Sequence, residues 1–285
     1  MVMFRSVAPL ALSILVSTCG LGCVDISAGE SRFVDTVEKR FAVSSAPSLR
    51  LGTFDGSVLV ETWDRPEVLV VVERHAFDKE AADRMLVTAV QSGDQIHVDV
   101  REDKDGRMHM HFGSHYARLV VTVPKQARVE ANTGDGRVTI RSVAGDLRVH
   151  TGDGSIHLEG VDGAVDATSG DGNIDIDGTI RQLTARSGDG RMRIHTLAAG
   201  PTSDWSIATG DGSVVLEVPE NFGAELDAST GDGRVVVSGV AFSGDRGRRE
   251  RGPARGRLGN GGPRISIHSG DGSISVRSTD SSVQP

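Results

Sequence analysis

The chain has few of the residues that usually cross-link a protein fold or bind a cofactor. Its two cysteines, Cys19 and Cys23, lie close together near the start, and two cysteines at this spacing rarely staple a fold. The absence of thiols after residue 23 suits an oxidising or surface compartment. Aromatic residues make up only 4% of the chain, and the formal net charge of −8 argues against a general nucleic-acid binder.

Glycine is abundant instead, and its placement indicates a repeat. The tetrapeptide Thr/Ser-Gly-Asp-Gly occurs seven times and contains 14 of the 36 glycines. The first three steps between successive aspartates are 18 residues each, and the next are 22, 21 and 39. A period near 20 is typical of one supersecondary unit stacked many times. The seven aspartates are Asp135, Asp153, Asp171, Asp189, Asp211, Asp232 and Asp271.

Each repeat carries the same apolar pattern on both sides of this tetrapeptide. Large apolar residues follow the aspartate at three and five positions, as in Ile156 and Leu158, and another pair precedes it, as in Leu147 and Val149. Spacing by two is the period of a strand with one buried face. The pattern predicts an all-β fold, a parallel β-solenoid with two short strands per coil, about 18–22 residues per repeat and an aliphatic core.

The tetrapeptide itself predicts a sharp corner. Glycine accepts positive φ at no steric cost, and an aspartate side chain can accept hydrogen bonds from nearby backbone N–H groups. Regular stacking would place the seven aspartates in one column, partly neutralised by Arg137, Arg191 and Arg234 two residues further on. A calcium ladder is the alternative, although calcium repeats supply several oxygens per turn and this chain supplies one carboxylate. We interpret the aspartates as turn formers and expect no metal and no cofactor.

The first 23 residues have the features of an export signal. Arg5 precedes the apolar run Val7 to Val16, which is too short to span a bilayer as a helix. Leu21-Gly22-Cys23 resembles a lipoprotein signal, which makes Cys23 the expected lipid attachment site, with Cys19 as the weaker alternative. We therefore expect an exported, lipid-anchored protein of the cell envelope, in the outer membrane or periplasm or at the cell surface.

The remaining chain divides by pattern into four parts. We expect a tether over 24–42, irregular coils and a cap over 43–128, regular repeats over 129–278, and a tail over 279–285. Within the cap, a degenerate corner at Asp55-Gly56, a short helix over 78–84 and a hairpin over 86–100 are expected. The repeats are interrupted by a flexible Arg/Gly-rich insert over 243–262, whose six arginines make it a solvated loop, a contact for anionic partners, or a segment folded onto the acidic flank.

Several segments together resemble a known family. Thr53 to Val58, Glu61 to Asp64 and Val120 to Pro124, with the serial Gly-Asp-Gly corners, resemble the bacterial putative-adhesin domain, a family of unknown function. The resemblance extends over roughly 43–276. It implies a β-solenoid, often behind a signal peptide or a lipid anchor, without defined catalytic residues.

These patterns favour a non-enzymatic surface scaffold over an enzyme. The outward strand positions predicted for one face mix charge, polarity and aliphatic groups without paired carboxylates: Thr139, His157, Asp175, Arg193, Val215, Val236 and Ser275. His109, His111 and His115 could form a metal cluster, but a polar loop or edge strand is the simpler interpretation. We expect a protein or glycan as surface ligand, the membrane as a second partner, and no nucleic acid. A stress-sensing or regulatory envelope protein and a polysaccharide-acting enzyme are the alternatives.

Overall fold

The computed structural model describes residues 33–44, 46–103, 115–245 and 252–279, and within them the fold is almost entirely β. The only helix in these ranges is a single turn, and none is long and apolar enough to cross a membrane. In chain order the elements are β1 (Phe33–Ala42), β2 (Ser48–Thr53), β3 (Val58–Trp63), β4 (Glu67–Ala76), α1 (Lys79–Asp83), β5 (Met85–Ser92), β6 (Gln95–Glu102), β7 (Tyr116–Pro124), β8 (Arg128–Thr133), β9 (Val138–Arg141), β10 (Leu147–Thr151), β11 (Ile156–Ser169), β12 (Ile174–Ser187), β13 (Met192–Thr196), β14 (Trp205–Thr209), β15 (Val214–Val218), β16 (Ala224–Thr230), β17 (Val235–Ser238), β18 (Phe242–Asp245), β19 (Ala254–Leu258), β20 (Arg264–Ser269) and β21 (Ile274–Ser278).

The strands form two walls that meet at the Gly-Asp-Gly corners. Wall 1 holds the strands that precede a corner, together with β5, β6, β18 and β19, in the spatial order β5-β6-β2-β8-β10-β11-β12-β14-β20-β16-β19-β18. Wall 2 holds the strands that follow a corner, together with β1, β4 and β7, in the order β1-β4-β7-β3-β9-β11-β12-β13-β15-β21-β17. The long strands β11 and β12 pass from wall 2 into wall 1. The predicted parallel solenoid with two strands per coil is thus confirmed, with antiparallel pairs only toward the ends.

The core lies between the walls, and it consists of equivalent apolar residues of successive coils stacked on one another. In wall 1, Leu147 pairs with Val165 and Val149 with Ala167, and the same positions repeat from coil to coil. The apolar residues predicted to point inward are buried, except Val237, which is only partly covered because β17 is the last strand of wall 2. Each buried aliphatic side chain contributes about 1.5–3 kcal/mol, so the stack derives its stability from many equivalent layers.

The order of coils at both ends departs from their order in the sequence. The coil β2–β3 lies between β6–β7 and β8–β9, although it precedes both in the chain. At the other end, β20–β21 lies between β14–β15 and β16–β17, although it comes last. We call these the interlocked ends. A sequential stack would have placed each terminal coil on the outside.

Two segments expected to lack structure form strands. Phe33–Ala42, expected in the tether, is β1 and pairs with β4 at the edge of wall 2. Within the insert expected to be flexible, Ala254–Leu258 is β19, which pairs antiparallel with both β16 and β18. Both strands cover an end of the stack, where the coil edge would otherwise expose backbone N–H and C=O groups. The cap elements expected from the sequence, namely the corner at Asp55, helix α1 and the β5–β6 hairpin, are present.

Candidate functional site

The corners are held by the hydroxyl at their first position. Thr151 is fully buried, and its Oγ1 lies 3.0 Å from the carbonyl oxygen of Gly134 and 3.1 Å from that of Gly136, both in the preceding coil. The same oxygen accepts a hydrogen bond from the N–H of Gly154 at 3.2 Å. Equivalent bonds recur at other corners, through Ser169, Ser187, Thr209, Thr230 and Ser269. This hydroxyl ladder joins each corner to the next and satisfies buried backbone groups.

The corner glycines are required by the close approach of successive backbones, and not by the positive φ that the sequence suggested. None of the fourteen glycines in the seven corners has φ in the left-handed region. A Cβ at Gly154, Gly172 or Gly190 would instead lie far inside 3.0 Å of the carbonyl oxygen of the equivalent glycine one coil earlier. Only a residue without a side chain allows the corners to stack at this separation.

The seven predicted aspartates all lie at exposed turns along one narrow edge of the stack. They contribute few bonds there. The Oδ1 of Asp135 accepts a long hydrogen bond of 3.3 Å from the N–H of Asp153, and the carboxylate of Asp153 lies over Gly170. No group of three acidic, histidine or cysteine side chains that could hold a metal ion occurs in the part of the chain that the structure describes. The aspartates thus occupy exposed turn positions, and their role as turn formers stays a prediction.

The hydroxyl and the carboxylate of one corner are expected to differ in their effect on stability. Thr151→Val removes the hydroxyl that accepts from the N–H of buried Gly154, and leaving this N–H without its partner should cost about 1–3 kcal/mol. Asp153→Ala should cost about 1 kcal/mol or less, because its carboxylate is exposed. Urea unfolding followed by circular dichroism would measure both, with EGTA and with millimolar calcium. A calcium-dependent loss confined to Asp153→Ala would contradict the turn interpretation.

The outer faces of both walls carry ion pairs that run from coil to coil. On wall 2, the guanidinium of Arg141 bonds Glu61 at 3.0 Å and Glu159 at 3.2 Å, on the coils to either side. Further along the same row, His195 pairs with Asp177 and Arg277 with Glu217. Each exposed pair stabilises the fold by less than about 1 kcal/mol. Their larger effect is to present a flat surface of alternating charge.

Wall 1 has a shallow open groove of about 510 Å³ on its outer face. The register between β11 and β12 shifts next to Ala164, whose small side chain stands opposite Gln182. Two ion pairs lie along the groove, Arg128 with Asp146 at 2.9 Å and Arg148 with Asp166 at 3.5 Å. Gln182 and Thr184 add an amide and a hydroxyl to its lining. The groove therefore offers positive and negative groups together with an uncharged amide and a hydroxyl, and this combination suits a polar ligand.

The sequence did not single out the groove. Its polar residues alternate with buried residues along strands of wall 1, and this period marks them as outward but not as neighbours. The partners Arg128 and Asp146 are 18 residues apart, which is one repeat. A reader of the sequence could have found them by aligning successive repeats and comparing charges at equal positions.

The described part of the arginine insert folds back onto acidic residues, one of the three readings that the sequence left open. Arg255 on β19 bonds Asp227 at 2.9 Å, and Arg257 lies 3.2 Å from Glu225. The hydrogen bond that Arg255 donates to Asp227, together with the negative charge of that carboxylate, raises the pKa of Arg255 above the ordinary value. These two guanidinium groups are thus engaged by β16, while residues 246–251 lie outside the described ranges.

Only some of the other candidate residues lie within the described ranges. Cys19, Cys23, His109 and His111 lie outside the described residues. His115 lies within them, where its Nε2 is 3.0 Å from Glu102 and its ring is 5.8 Å from the ring of Phe54. The outward positions predicted on wall 2, from Thr139 to Ser275, are all partly or fully exposed.

Comparison with known proteins gives matches to solved structures and to one family. No curated protein matches the chain. The chain is similar to a putative cell adhesion protein from Clostridium sporogenes, at 12% identity and a TM-score of 0.40, over 86% of this chain and 100% of the other. A putative adhesin from Bacteroides fragilis is similar at 11% identity and a TM-score of 0.45, over 86% and 97%. A putative lipid binding protein from Parabacteroides distasonis is similar at 13% identity and a TM-score of 0.42, over 85% and 96%. The family model of Toastrack DUF4097 matches residues 69–179 and 144–277, which together make up most of the chain.

Proposed function

Because the chain belongs to the Toastrack DUF4097 family, a family of β-solenoid-like repeats, we propose that it is a non-enzymatic scaffold of the bacterial cell envelope that binds a surface partner. In this proposal the chain is exported, attached to a membrane through Cys23, and acts as an adhesin or surface-interaction scaffold. The partner is a protein or a glycan bound on the outer wall of the stack. No nucleic acid and no cofactor take part.

The groove on wall 1 is the observation that carries this proposal. It is open to solvent, its lining combines charged and polar side chains with apolar ones such as Val129 and Leu147, and it lies on a stack whose strands repeat at about 4.8 Å. An extended chain of sugars or a strand of protein can lie across several coils of such a surface. The backbone and hydroxyl bonds between coils hold the strands under the groove in fixed positions, so binding has to order side chains but little backbone.

The arrangement of acidic residues favours a scaffold over a polysaccharide-acting enzyme. Glu159 and Asp177 do lie on neighbouring coils of wall 2, where a pair of carboxylates could act on a sugar. Each is engaged by a basic group on its other side, Glu159 by Arg141 and Asp177 by His195. Glu159 is thus neutralised by a guanidinium, and Asp177 is occupied by a hydrogen bond with an imidazole. We therefore assign these residues to the surface ladder.

Removing the two groove arginines is expected to weaken adhesion severalfold while leaving the fold intact. Bacteria that display the full chain should be retained on a mucin-coated surface, since mucin offers both protein and glycan. Arg128→Ala with Arg148→Ala should reduce retention severalfold, because both guanidinium groups line the groove. The matched control is Arg191→Ala with Arg193→Ala, which removes two exposed arginines outside the groove, one at a corner and one on wall 2. Two results would argue against the proposal. One is equal retention of the two double variants, and the other is retention of cells without the chain equal to that of cells that display it.

A further inference from the structure

Exposed apolar side chains gather at one end of the stack. Among the described residues, six large apolar side chains are exposed, and only Leu197 lies away from the end formed by β1, β4, β5 and β7. The other five are Val34, Phe77, Leu86, Val90 and Tyr116. Phe77, Leu86 and Val90 are each at least half exposed. Single exposed apolar residues are normal on a protein surface, but five at one end mark that end as different from the rest.

These side chains surround an end that is already closed. Strand β5 is the edge of wall 1 and β1 is the edge of wall 2. Helix α1 packs against both strands. The amine of Lys39 donates to the carbonyl oxygen of Ala89 at 3.2 Å, and the amide of Gln91 donates to that of Ala42 at 2.6 Å, so side chains join the two walls. The exposed apolar residues thus form a rim around a closed end. We call it the apolar rim.

The rim has members on both outer faces. Leu86 and Val90 alternate along β5 with the buried residues Met85 and Ala89, which places them on the outer face of wall 1. Across the stack, Val34 pairs with His75, whose ring is stacked on that of Tyr116 with centroids 4.6 Å apart. Phe77 follows β4 immediately before α1, between the two faces. A surface that contacts all of these side chains at once has to be broad and to meet the stack end-on.

The path of the chain brings this end close to the proposed lipid anchor. The described chain begins at Phe33 in β1, at the rim itself. Only residues 24–32 separate β1 from Cys23, and nine residues reach at most about 30 Å when fully extended. A lipid on Cys23 would therefore hold the rim, and not the opposite end, within this distance of a bilayer. This step rests on the anchor in the proposed function.

We propose that the apolar rim docks on a lipid surface, so that the stack stands on the membrane with its N-terminal end down. A bilayer is broad enough to receive both faces of the rim, and its interface accepts aromatic and aliphatic side chains. A second copy of the chain fits less well. Lys39 is directed inward from the edge strand β1, and an inward charge on an edge strand discourages pairing with another strand.

The test places a fluorescent reporter at the rim and at a matched position elsewhere. The full chain is expressed in a bacterium, with Leu86→Cys or with Leu197→Cys as the control, since Leu197 is also an exposed leucine. Each protein is labelled with the fluorophore NBD and incorporated into vesicles of phosphatidylethanolamine and phosphatidylglycerol. Lipids with a spin label at carbon 5 quench a reporter that contacts the bilayer, and iodide quenches one that faces water. We expect severalfold stronger spin-label quenching at position 86 than at position 197.

Three other outcomes are informative. Iodide quenching at position 86 equal to that at 197 would overturn the docking proposal. Protection from iodide without spin-label quenching would also overturn it, because the rim would then be covered by protein, either residues 24–32 or a second copy. The anchor itself is read separately by labelling. A lipidated Cys23 leaves one reactive thiol per chain, whereas an unprocessed chain carries three. A count of three would contradict the proposed anchor rather than the docking of the rim.

Discussion

Replacing Ile174 with aspartate is expected to unfold several coils in one cooperative step. Ile174 is fully buried and stacks on Ile156 and Met192 in the neighbouring coils. A carboxylate there has no partner, and an unpaired buried charge is among the costliest changes a core can receive. The loss should exceed about 4–5 kcal/mol, in the exceptional range for a point substitution. Because each coil contacts only its neighbours, the damage should spread through coils on both sides.

Thermal unfolding by circular dichroism would measure this loss, with Thr139→Asp as the matched control. Thr139 points outward from the same wall, so the same charge there meets water and should change stability by less than about 1 kcal/mol. Burial raises the pKa of a carboxyl group, so the folded form of the Ile174→Asp variant loses stability as pH rises above about 4. The deficit should therefore be smaller at pH 4 than at pH 7. A melting temperature close to that of the original chain would show that Ile174 does not point inward.

Replacing Gly172 with alanine is expected to separate two coils at the corner. The added Cβ would overlap the carbonyl oxygen of Gly154 in the preceding coil, and this oxygen belongs to the backbone and cannot swing away. To relieve the overlap, the corners must move apart, which breaks the hydrogen bond that Ser169 donates to the carbonyl oxygen of Gly154 in the preceding coil. We expect a loss of at least about 3–4 kcal/mol, far more than the helix or strand propensity of alanine could explain.

Gly93→Ala provides the contrast for this prediction. Gly93 lies in the β5–β6 turn with φ of 60°, and no atom comes within 4 Å of a Cβ placed there. The strained backbone should cost about 1–2 kcal/mol. Urea unfolding of Gly172→Ala and Gly93→Ala compares two reasons for a glycine. The loss of stability at Gly172 measures the cost of too little space for a Cβ, and the loss at Gly93 measures the cost of a side chain in a left-handed conformation. If Gly93→Ala were the more harmful change, close stacking would not be the reason for the corner glycines.

The repeat pattern predicted the coils accurately because their physics is local. Val149 and Ile156 alternate with polar residues and flank a Gly-Asp-Gly corner, and these features need no information from another repeat. The short helix α1 was likewise predictable, since Asp78 caps it and its Oδ1 accepts from the N–H of Ala81 at 2.8 Å.

The sequence could not reveal which repeats are neighbours. Ile265 can stack on Trp205 or on Leu226 with the same alternation, and it contacts both because β20 lies between β14 and β16. The repeats are too alike in their apolar code for a sequence to specify their order. The groove is a different case, because it lies on coils that stack in chain order, and aligning the successive repeats would have brought its residues together. The reason for the corner glycines depends on the distance between coils, which no single repeat contains.

The interlocked ends have a consequence for how the protein is made. Chains are synthesised from their N-terminus, so β16 and β17 emerge before β20 and β21. Until residues 264–278 arrive, β14–β15 and β16–β17 cannot occupy their final positions, because the space between them has no occupant. A nonsense fragment ending at residue 245 would contain most of the core and still leave facing strands without partners. The coil β20–β21 is therefore required to complete the fold. Truncated chains that lack it should be degraded by the proteases that remove unfolded proteins.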